Sequence, residues 1–170
     1  RMRSFRVIGR RFSNILTEKE YKIEEANGLE YFYFKNADEV SDRAAETVLE
    51  VLREKSDAVL GLSTGSTPLG LYERLIRAYL EGRADFSKVR SFNLDEYVGL
   101  PPQHENSYGY YMRHHLFSHI NIAEENAHVP SGTEKDYDAY CREYERKIES
   151  VGGIDLMILG VGENGHIAFN

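Results

Sequence analysis

The sequence has 170 residues, with 21 Lys and Arg against 28 Asp and Glu, so its formal net charge is −7. This length corresponds to about one domain, and the acidic balance disfavours non-specific binding to nucleic acid. No apolar run approaches the roughly 20 residues of a membrane span and Cys141 is the single cysteine, so we expect a cytoplasmic protein without nucleic-acid or membrane partners.

The N-terminal segment differs in composition from the rest of the sequence. Residues 1–16 contain five arginines and no acidic residue, which is typical of a transit peptide or a basic arm. No apolar stretch follows the paired arginines, so a secretory signal is disfavoured. We interpret residues 1–28 as a basic N-terminal arm or extension and residues 29–170 as one α/β domain. Because an arginine precedes the first methionine, we also expect a fragment.

From residue 29 onward, strand and helix patterns alternate. An aromatic run at 31–34 predicts a strand, and the spaced apolar residues behind Asn36 predict a capped helix. The elements predicted next are strands at 58–62, 89–94 and 154–161 and helices at 68–80, 107–117 and 137–148. This alternation predicts an α/β fold with a doubly wound, mostly parallel, Rossmann-like sheet. In such sheets ligands bind beyond the carboxyl ends of the strands, so the residues after each strand are the candidate site.

A loop of small and hydroxylated residues follows the strand at 58–62. It consists of Ser63, Thr64, Gly65, Ser66 and Thr67. Free N–H groups and the positive end of the next helix attract an anion, and the glycine lets the backbone approach it closely. The loop lacks the Gly-Lys-Ser/Thr ending of a nucleotide P-loop, so a phosphosugar is the expected ligand. The alternative is a well-capped helix start, where Ser and Thr are common.

Two adjacent carboxylates, Asp95 and Glu96, follow the next strand. Because side chains alternate along extended chain, only one of them can point into a given cleft. A carboxylate in that position can serve as the general base that removes a proton next to a carbonyl or imine. The alternative is a solvated acidic turn.

Four histidines between residues 104 and 119 raise the possibility of a metal site. His115 and His119 have the spacing of a helical ligand pair, but no acidic residue stands between them as in zinc proteases. We therefore predict that the protein has no metal site.

The last predicted strand leads into three glycines with dinucleotide-binding spacing, Gly160, Gly162 and Gly165. That fingerprint belongs in the first strand–helix unit, with an acidic residue about 20 positions later, so the match is misleading. His166 is more informative, because an imidazole titrates near neutrality and can pass a proton to a sugar ring oxygen. The alternative is a surface histidine without a chemical role.

Four segments together carry a family resemblance. They are GLSTGSTP at 61–68, FNLDEYVGL at 92–100, ENSY at 105–108 and LGVGENGHIAFN at 159–170. In this order and spacing they resemble the glucosamine-6-phosphate deaminase family. The resemblance implies a fold of the sugar-phosphate isomerase/deaminase type, in which residues 29–170 are the N-terminal part of a single catalytic domain.

The resemblance implies conversion of glucosamine 6-phosphate and water to fructose 6-phosphate and ammonia, without a cofactor. It implies that Asp95 moves a proton between C2 and C1, that His166 opens the pyranose ring, and that residues 63–67 hold the phosphate. Asn164 stands where some members have Asp, so it can orient His166 but cannot stabilise an imidazolium by charge. The implied partner is a phosphosugar, and because family members are often oligomers we expect a homo-oligomer.

In that family the sequence continues beyond the position of Asn170 with a Glu that assists ring opening and with basic phosphate contacts. We therefore expect a sheet truncated at its C-terminal side, and an isolated 170-residue chain that is inactive and poorly soluble.

Two other functions remain open. A 6-phosphogluconolactonase shares the Ser/Thr loop and the Asp–Glu pair, although an Arg usually follows that pair in lactonases and Tyr97 stands here. A non-catalytic sensor would bind a phosphosugar in the same pocket. The presence of Asp95 and His166 favours catalysis, because binding alone requires neither a base nor a ring-opening group.

Overall fold

The computed structural model describes residues 5–8, 22–26 and 29–169. The strands are β1 (Phe5–Ile8), β2 (Lys22–Ala26), β3 (Leu29–Tyr33), β4 (Val59–Leu62), β5 (Arg90–Asn93), β6 (Ala127–His128) and β7 (Leu156–Gly160). The helices are α1 (Ala37–Glu54), α2 (Leu69–Leu80), α3 (Tyr108–His115) and α4 (Tyr137–Ser150), with 3-10 turns at Phe117–His119 and Glu124–Asn126. None of these described helices combines the length and apolarity that crossing a bilayer demands.

Local capping explains where three of the helices begin. The side chain of Asn36 accepts a hydrogen bond from Glu39 N–H at the start of α1, and Ser107 and Asp136 accept equivalent bonds at α3 and α4. Such caps satisfy N–H groups that have no partner within the helix. The strands and helices predicted beyond residue 28 are confirmed, with ends that differ by a few residues.

The main sheet has five strands in the order β1-β7-β4-β5-β6. Strands β4, β5, β6 and β7 are parallel and β1 is antiparallel to β7, so the predicted mostly parallel sheet is confirmed. From β4 the chain builds outward through β5 to β6, and β7 then returns to the other side of β4. The strand order therefore reverses between β4 and β7.

The aromatic strand predicted at 31–34 is present as β3, but it lies outside the main sheet. It pairs antiparallel with β2, from Lys22 opposite Tyr33 to Ala26 opposite Leu29. Within the predicted N-terminal arm, residues 5–8 and 22–26 form strands, and the rest of that segment lies outside the described residues. The interpretation of residues 1–28 as an arm or extension stays a prediction.

Helices cover both faces of the sheet, as the doubly wound fold predicts. Leu60 and Leu62 of β4 pack into a continuous core with buried residues of α1 and α2, including Leu71. Phe92 of β5 points to the opposite face, where its ring lies edge-on to Tyr144 of α4 at 5.7 Å. The two crossover helices α2 and α4 thus lie on opposite faces.

Candidate active site

Three loops meet at one edge of the sheet. Strands β4, β5 and β7 are parallel neighbours, so their carboxyl ends lie side by side and are followed by residues 63–68, 94–100 and 161–169. A reversal of strand order opens a crevice at the carboxyl ends of the strands, which is where doubly wound sheets bind ligands. The site residues predicted from sequence all lie on these three loops.

The loop after β4 is held by two tyrosine hydroxyls. Tyr72 donates to the carbonyl oxygen of Ser63 and Tyr111 donates to that of Gly65, each at 2.5 Å. Gly65 has a φ of +94°, a conformation that favours glycine. Pro68 occupies the N-cap of α2 and no side chain caps that helix, so its first turn retains N–H groups and positive dipole suited to an anion.

The floor of the crevice is polar. Ser63 Oγ and Asn93 Oδ1 are buried at the ends of adjacent strands, and neither has a hydrogen-bond partner within the described part of the chain. The amide nitrogen of Asn93 donates to the carbonyl oxygen of Leu62 at 3.0 Å, which fixes the side chain. Asn93 was not predicted as a site residue, although a polar amide closing an apolar strand was visible in the sequence.

The two adjacent carboxylates have different partners. Glu96 Oε1 accepts hydrogen bonds from the backbone N–H groups of Tyr97 and Tyr108, and Oε2 accepts one from Gly109, each at 2.9 Å. Asp95 is half-buried, and burial, followed by the negative charge of Glu96, raises the pKa of its carboxyl group. A raised pKa strengthens a carboxylate as a base. Asp95 therefore has the environment of a general base, whereas Glu96 is engaged with backbone.

Tyr108 links the loops, and it was not predicted as a site residue. Its hydroxyl donates to the hydroxyl of Tyr97 at 3.4 Å, and the side chain of Thr64 lies close enough to influence its pKa. Burial, followed by the hydrogen bond to Tyr97, raises the pKa of the phenol, and the nearby charge of Asp95 raises it further. The sequence signal that could have identified it is its place in the ENSY segment, at the start of a helix beside the crevice.

The loop after β7 folds back on itself around His166. Asn164 Oδ1 lies 2.5 Å from His166 Nδ1, and Gly162 N–H donates to the carbonyl oxygen of His166 at 2.9 Å. An amide oxygen can only accept, so Nδ1 carries the proton and Nε2 keeps its lone pair in the neutral ring. A Cβ at Gly162 would lie 2.0 Å from His166 Cε1. This glycine therefore makes room for the imidazole, which gives it a local packing role.

Contacts between the loops bring the predicted residues to a common edge. Phe169 packs against the rings of Tyr97 and Tyr108, with centroids 5.2 Å and 5.9 Å apart. A Cβ at Gly160 would lie 3.7 Å from Thr67 Cβ, so the end of β7 adjoins the loop after β4. The hydrogen-bonding and packing contacts described for His166 are with Gly162 and Asn164 of its own loop.

The histidines of α3 and the following turn contact one another. The rings of His114 and His115 lie 4.8 Å apart, and His119 Nε2 is 2.9 Å from the carbonyl oxygen of His114. Burial, followed by the two neighbouring imidazoles, lowers the pKa of His115. Within residues 5–8, 22–26 and 29–169, no three His, Cys, Asp or Glu side chains cluster as metal ligands.

Comparison with known proteins places this architecture among sugar-phosphate enzymes. Residues 35–169 match the family model of glucosamine-6-phosphate isomerases/6-phosphogluconolactonase. The chain is 56% identical over 135 residues to a glucosamine-6-phosphate deaminase of Thermoanaerobacter sp. strain X514, covering 79% of this chain and 53% of that protein. It is 51% identical over 133 residues to glucosamine-6-phosphate deaminase 2 of Bacillus subtilis strain 168, covering 78% and 53%. The chain thus spans about half the length of the curated relatives it matches.

Two solved structures give the same architecture. One is a monomeric glucosamine-6-phosphate deaminase, with a TM-score of 0.74 and 40% identity, covering 79% of this chain and 56% of that one. The other is a 6-phosphogluconolactonase from Thermotoga maritima, with a TM-score of 0.65 and 28% identity, covering 78% and 58%.

Proposed function

The chain belongs to the family of glucosamine-6-phosphate isomerases and 6-phosphogluconolactonases, and from this membership we propose that it acts as a glucosamine-6-phosphate deaminase. The reaction converts glucosamine 6-phosphate and water to fructose 6-phosphate and ammonia, so an aldose–ketose isomerisation is coupled to hydrolytic loss of the amine. The observation that carries the proposal is the pair after β5, where Glu96 is engaged with three N–H groups and half-buried Asp95 is left for a substrate.

His166 opens the pyranose ring in the first step of this proposal. Its Nε2 takes the proton of the C1 hydroxyl and returns it to the ring oxygen, so that the C1–O5 bond breaks and an open-chain aldehyde forms. The contact of Asn164 with Nδ1 supports this role, because it leaves Nε2 as the proton acceptor. Asn164 is neutral, so it orients the ring without stabilising an imidazolium by charge.

Asp95 then transfers the proton from C2 to C1. An amine proton reaches the aldehyde oxygen by way of solvent, and the product is the imine of fructose 6-phosphate. Water adds to C2 of this imine, and ammonia leaves to give the ketone. The raised pKa of Asp95 supports the role, since a base with a pKa nearer neutrality removes a carbon-bound proton more readily.

The loop after β4 holds the phosphate in this proposal. The uncapped first turn of α2 and the positive φ of Gly65 support it, because together they present N–H groups to an anion at close range. The residues proposed to form this cradle are Ser63, Thr64, Gly65, Ser66 and Thr67.

A direct test follows solvent deuterium. The protein at its full natural length is incubated with glucosamine 6-phosphate in deuterium oxide, and ammonia, fructose 6-phosphate and deuterium at C1 are measured. We expect equal amounts of the two products and deuterium at C1, because the proton held by a carboxylate exchanges with solvent. A protein that hydrolyses 6-phosphogluconolactone instead is a lactonase, the activity of its relative at 28% identity. Binding without deuterium uptake would indicate a sensor.

The variant Asp95→Asn tests the assigned base. We expect kcat to fall by about 100- to 10,000-fold, with the dissociation constant of substrate within about tenfold, because a base acts mainly in the transition state. The matched control is Asp57→Asn at an exposed turn, which should retain full activity. Unchanged turnover in Asp95→Asn would reject the assignment.

We further propose that the protein is a homo-oligomer and works in the cytoplasm. Exposed apolar side chains on the loop after β5, among them Tyr97 and Val98 at 46% and 74% exposure, support self-association. A phosphorylated sugar is charged and does not diffuse across membranes, which supports an intracellular site of action. Light scattering coupled to gel filtration measures the oligomeric state, and a monomeric mass at micromolar concentration would contradict a homo-oligomer. Cell fractionation measures the location, and recovery outside the cytoplasmic fraction would contradict it.

A further inference from the structure

We propose that Glu96 is a positioning residue for the deaminase reaction, because it fastens the loop that carries Asp95 to the N-terminus of α3. This inference rests on the function proposed above. It assigns to the second carboxylate of the pair a role of its own, which is to fix Asp95 relative to Tyr108.

The carboxylate of Glu96 completes the N-terminus of α3. Tyr108 and Gly109 are the first two residues of that helix, and their N–H groups donate to Oε1 and Oε2 of Glu96 at 2.9 Å. The next N–H group, that of Tyr110, donates to Ser107 Oγ at 3.0 Å. A carboxylate is acceptor-only at both oxygens and is favoured at the positive end of a helix. An amide of the same shape would present an NH₂ group to one of these donors.

Fixing Glu96 also restrains Asp95. The two residues are adjacent in the chain, so holding Glu96 against the N-terminus of α3 restrains the backbone that carries Asp95. The negative charge of Glu96 raises the pKa of Asp95, and Asp95 in turn raises the pKa of Tyr108 at the start of α3, so the three groups interact electrostatically. Tyr108 in turn reaches Thr64, so one carboxylate connects the base to the proposed phosphate loop.

The far side of the same loop is supported by close backbone packing. Gly99 N–H donates to the carbonyl oxygen of Gly132 at 2.6 Å, and a Cβ at Gly132 would lie 2.3 Å from the carbonyl oxygen of Tyr97. A Cβ there would also lie 3.4 Å from Glu96 Cγ. The loop is therefore held between α3 and residue 132, and Glu96 makes the hydrogen bonds on the side of α3.

Two variants separate the charge of Glu96 from the length of its side chain. Each is tested in the protein at its full natural length with glucosamine 6-phosphate as substrate. In Glu96→Gln we expect kcat to fall about 10- to 100-fold because the base is displaced, with KM within about threefold. The acid limb of the kcat/KM profile should move to lower pH, because Asp95 acts deprotonated and loses the negative neighbour that raises its pKa. Glu96→Asp keeps the charge but is one methylene shorter, so kcat should fall without that shift.

The control is Glu125→Gln at an exposed position of a 3-10 turn, which should match the wild type. Wild-type kcat and an unmoved acid limb in Glu96→Gln would overturn the inference, as would loss of folded protein in both Glu96 variants, which would make the role purely structural. A wild-type protein without deaminase activity overturns the proposed function, and this inference with it. If the wild type is an active deaminase and Glu96→Gln changes neither kcat nor the acid limb, the inference is overturned and the proposed function stands.

Discussion

At the scale of single residues, the loop after β7 depends on a glycine that leaves no room for a side chain. A Cβ at Gly162 would overlap the exposed ring of His166, and the ring can swing away at little cost in stability. We therefore expect Gly162→Ala to lower kcat/KM by roughly 100-fold through displacement of the imidazole, with an unchanged melting temperature. Steady-state kinetics and thermal unfolding measure the two quantities.

Gly160→Ala is the matched control for this glycine. Its Cβ would meet Thr67 at an ordinary contact distance of 3.7 Å, so activity should stay near that of the wild type. Equal activities of the two alanine variants would show that the position of the His166 ring is unimportant.

The adjacent carboxylates Asp95 and Glu96 show which part of the site could be predicted from the sequence. The sequence indicates that one of Asp95 and Glu96 faces the cleft, and the alternation of side chains explains why only one can. The alternation alone does not indicate which one, and Asp95 was assigned from the family resemblance. The N–H groups that engage Glu96 belong to Tyr108 and Gly109, which lie 12 and 13 residues after it, so this engagement could not be predicted from the local sequence. Only the packing of α3 against the loop brings them together.

At the scale of elements, the loop before α2 should contribute binding rather than chemistry. Thr67→Ala removes a hydroxyl that we propose lies against the phosphate, an interaction made equally in the ground state and the transition state. We therefore expect KM to rise about tenfold while kcat stays within about threefold. The control is Thr47→Ala, whose hydroxyl bonds within α1 to the carbonyl oxygen of Arg43. A fall in kcat without a change in KM would contradict a role in binding phosphate.

The contact of β6 with α4 makes stability depend on pH. The ring of His128 lies 4.6 Å from that of Phe92, and Tyr144 donates to the carbonyl oxygen of His128 at 3.1 Å. Burial, followed by the positive charges of Lys147 and Arg90, lowers the pKa of His128. The unfolded chain, with a histidine pKa of about 6.5, therefore binds more protons than the folded one, and stability falls as the pH drops through that value.

His128→Gln should reduce this dependence. Urea unfolding at pH 8 and at pH 5.5 gives the free energy of unfolding for each protein. We expect the wild type to lose more of this free energy than the variant when the pH falls from 8 to 5.5, because only the wild type contains a histidine whose pKa is lowered by folding. Equal losses would mean that His128 titrates alike in the folded and unfolded chains.

Among the described strands, those that were not predicted are β1, β2 and β6. β6 has only two residues, which is too short to display a period of its own, whereas β1 and β2 lie in the segment that was interpreted as an arm. Each of the three depends on pairing with another strand: β1 with β7, β2 with β3 and β6 with β5. The longer helices and the buried strands β4 and β7 were predictable because each carries its own apolar pattern.

At the scale of the whole molecule, one core joins the sheet to α1 and α2. Leu71 is fully buried in that core, whereas Leu80 of the same helix is 75% exposed. Leu71→Ala should lower the free energy of unfolding by about 2–5 kcal/mol through lost burial and a residual cavity. Leu80→Ala should change it by less than about 0.5 kcal/mol. Chemical denaturation measures both, and equal effects would contradict the core assignment.

The reversal of strand order has a consequence for the kinetics of folding. The backbone N–H of Val59 donates to the side chain of Asp155, 96 residues later in the chain. The crevice between β4 and β7 therefore forms only after these two distant segments have paired. Contacts of such long sequence separation form slowly because a large loop must close first. During refolding, the helical circular dichroism signal should therefore return before binding of the proposed sugar-phosphate substrate. On the ribosome, the first half of the crevice is synthesised well before its second half, and the site forms only when the chain closes on itself.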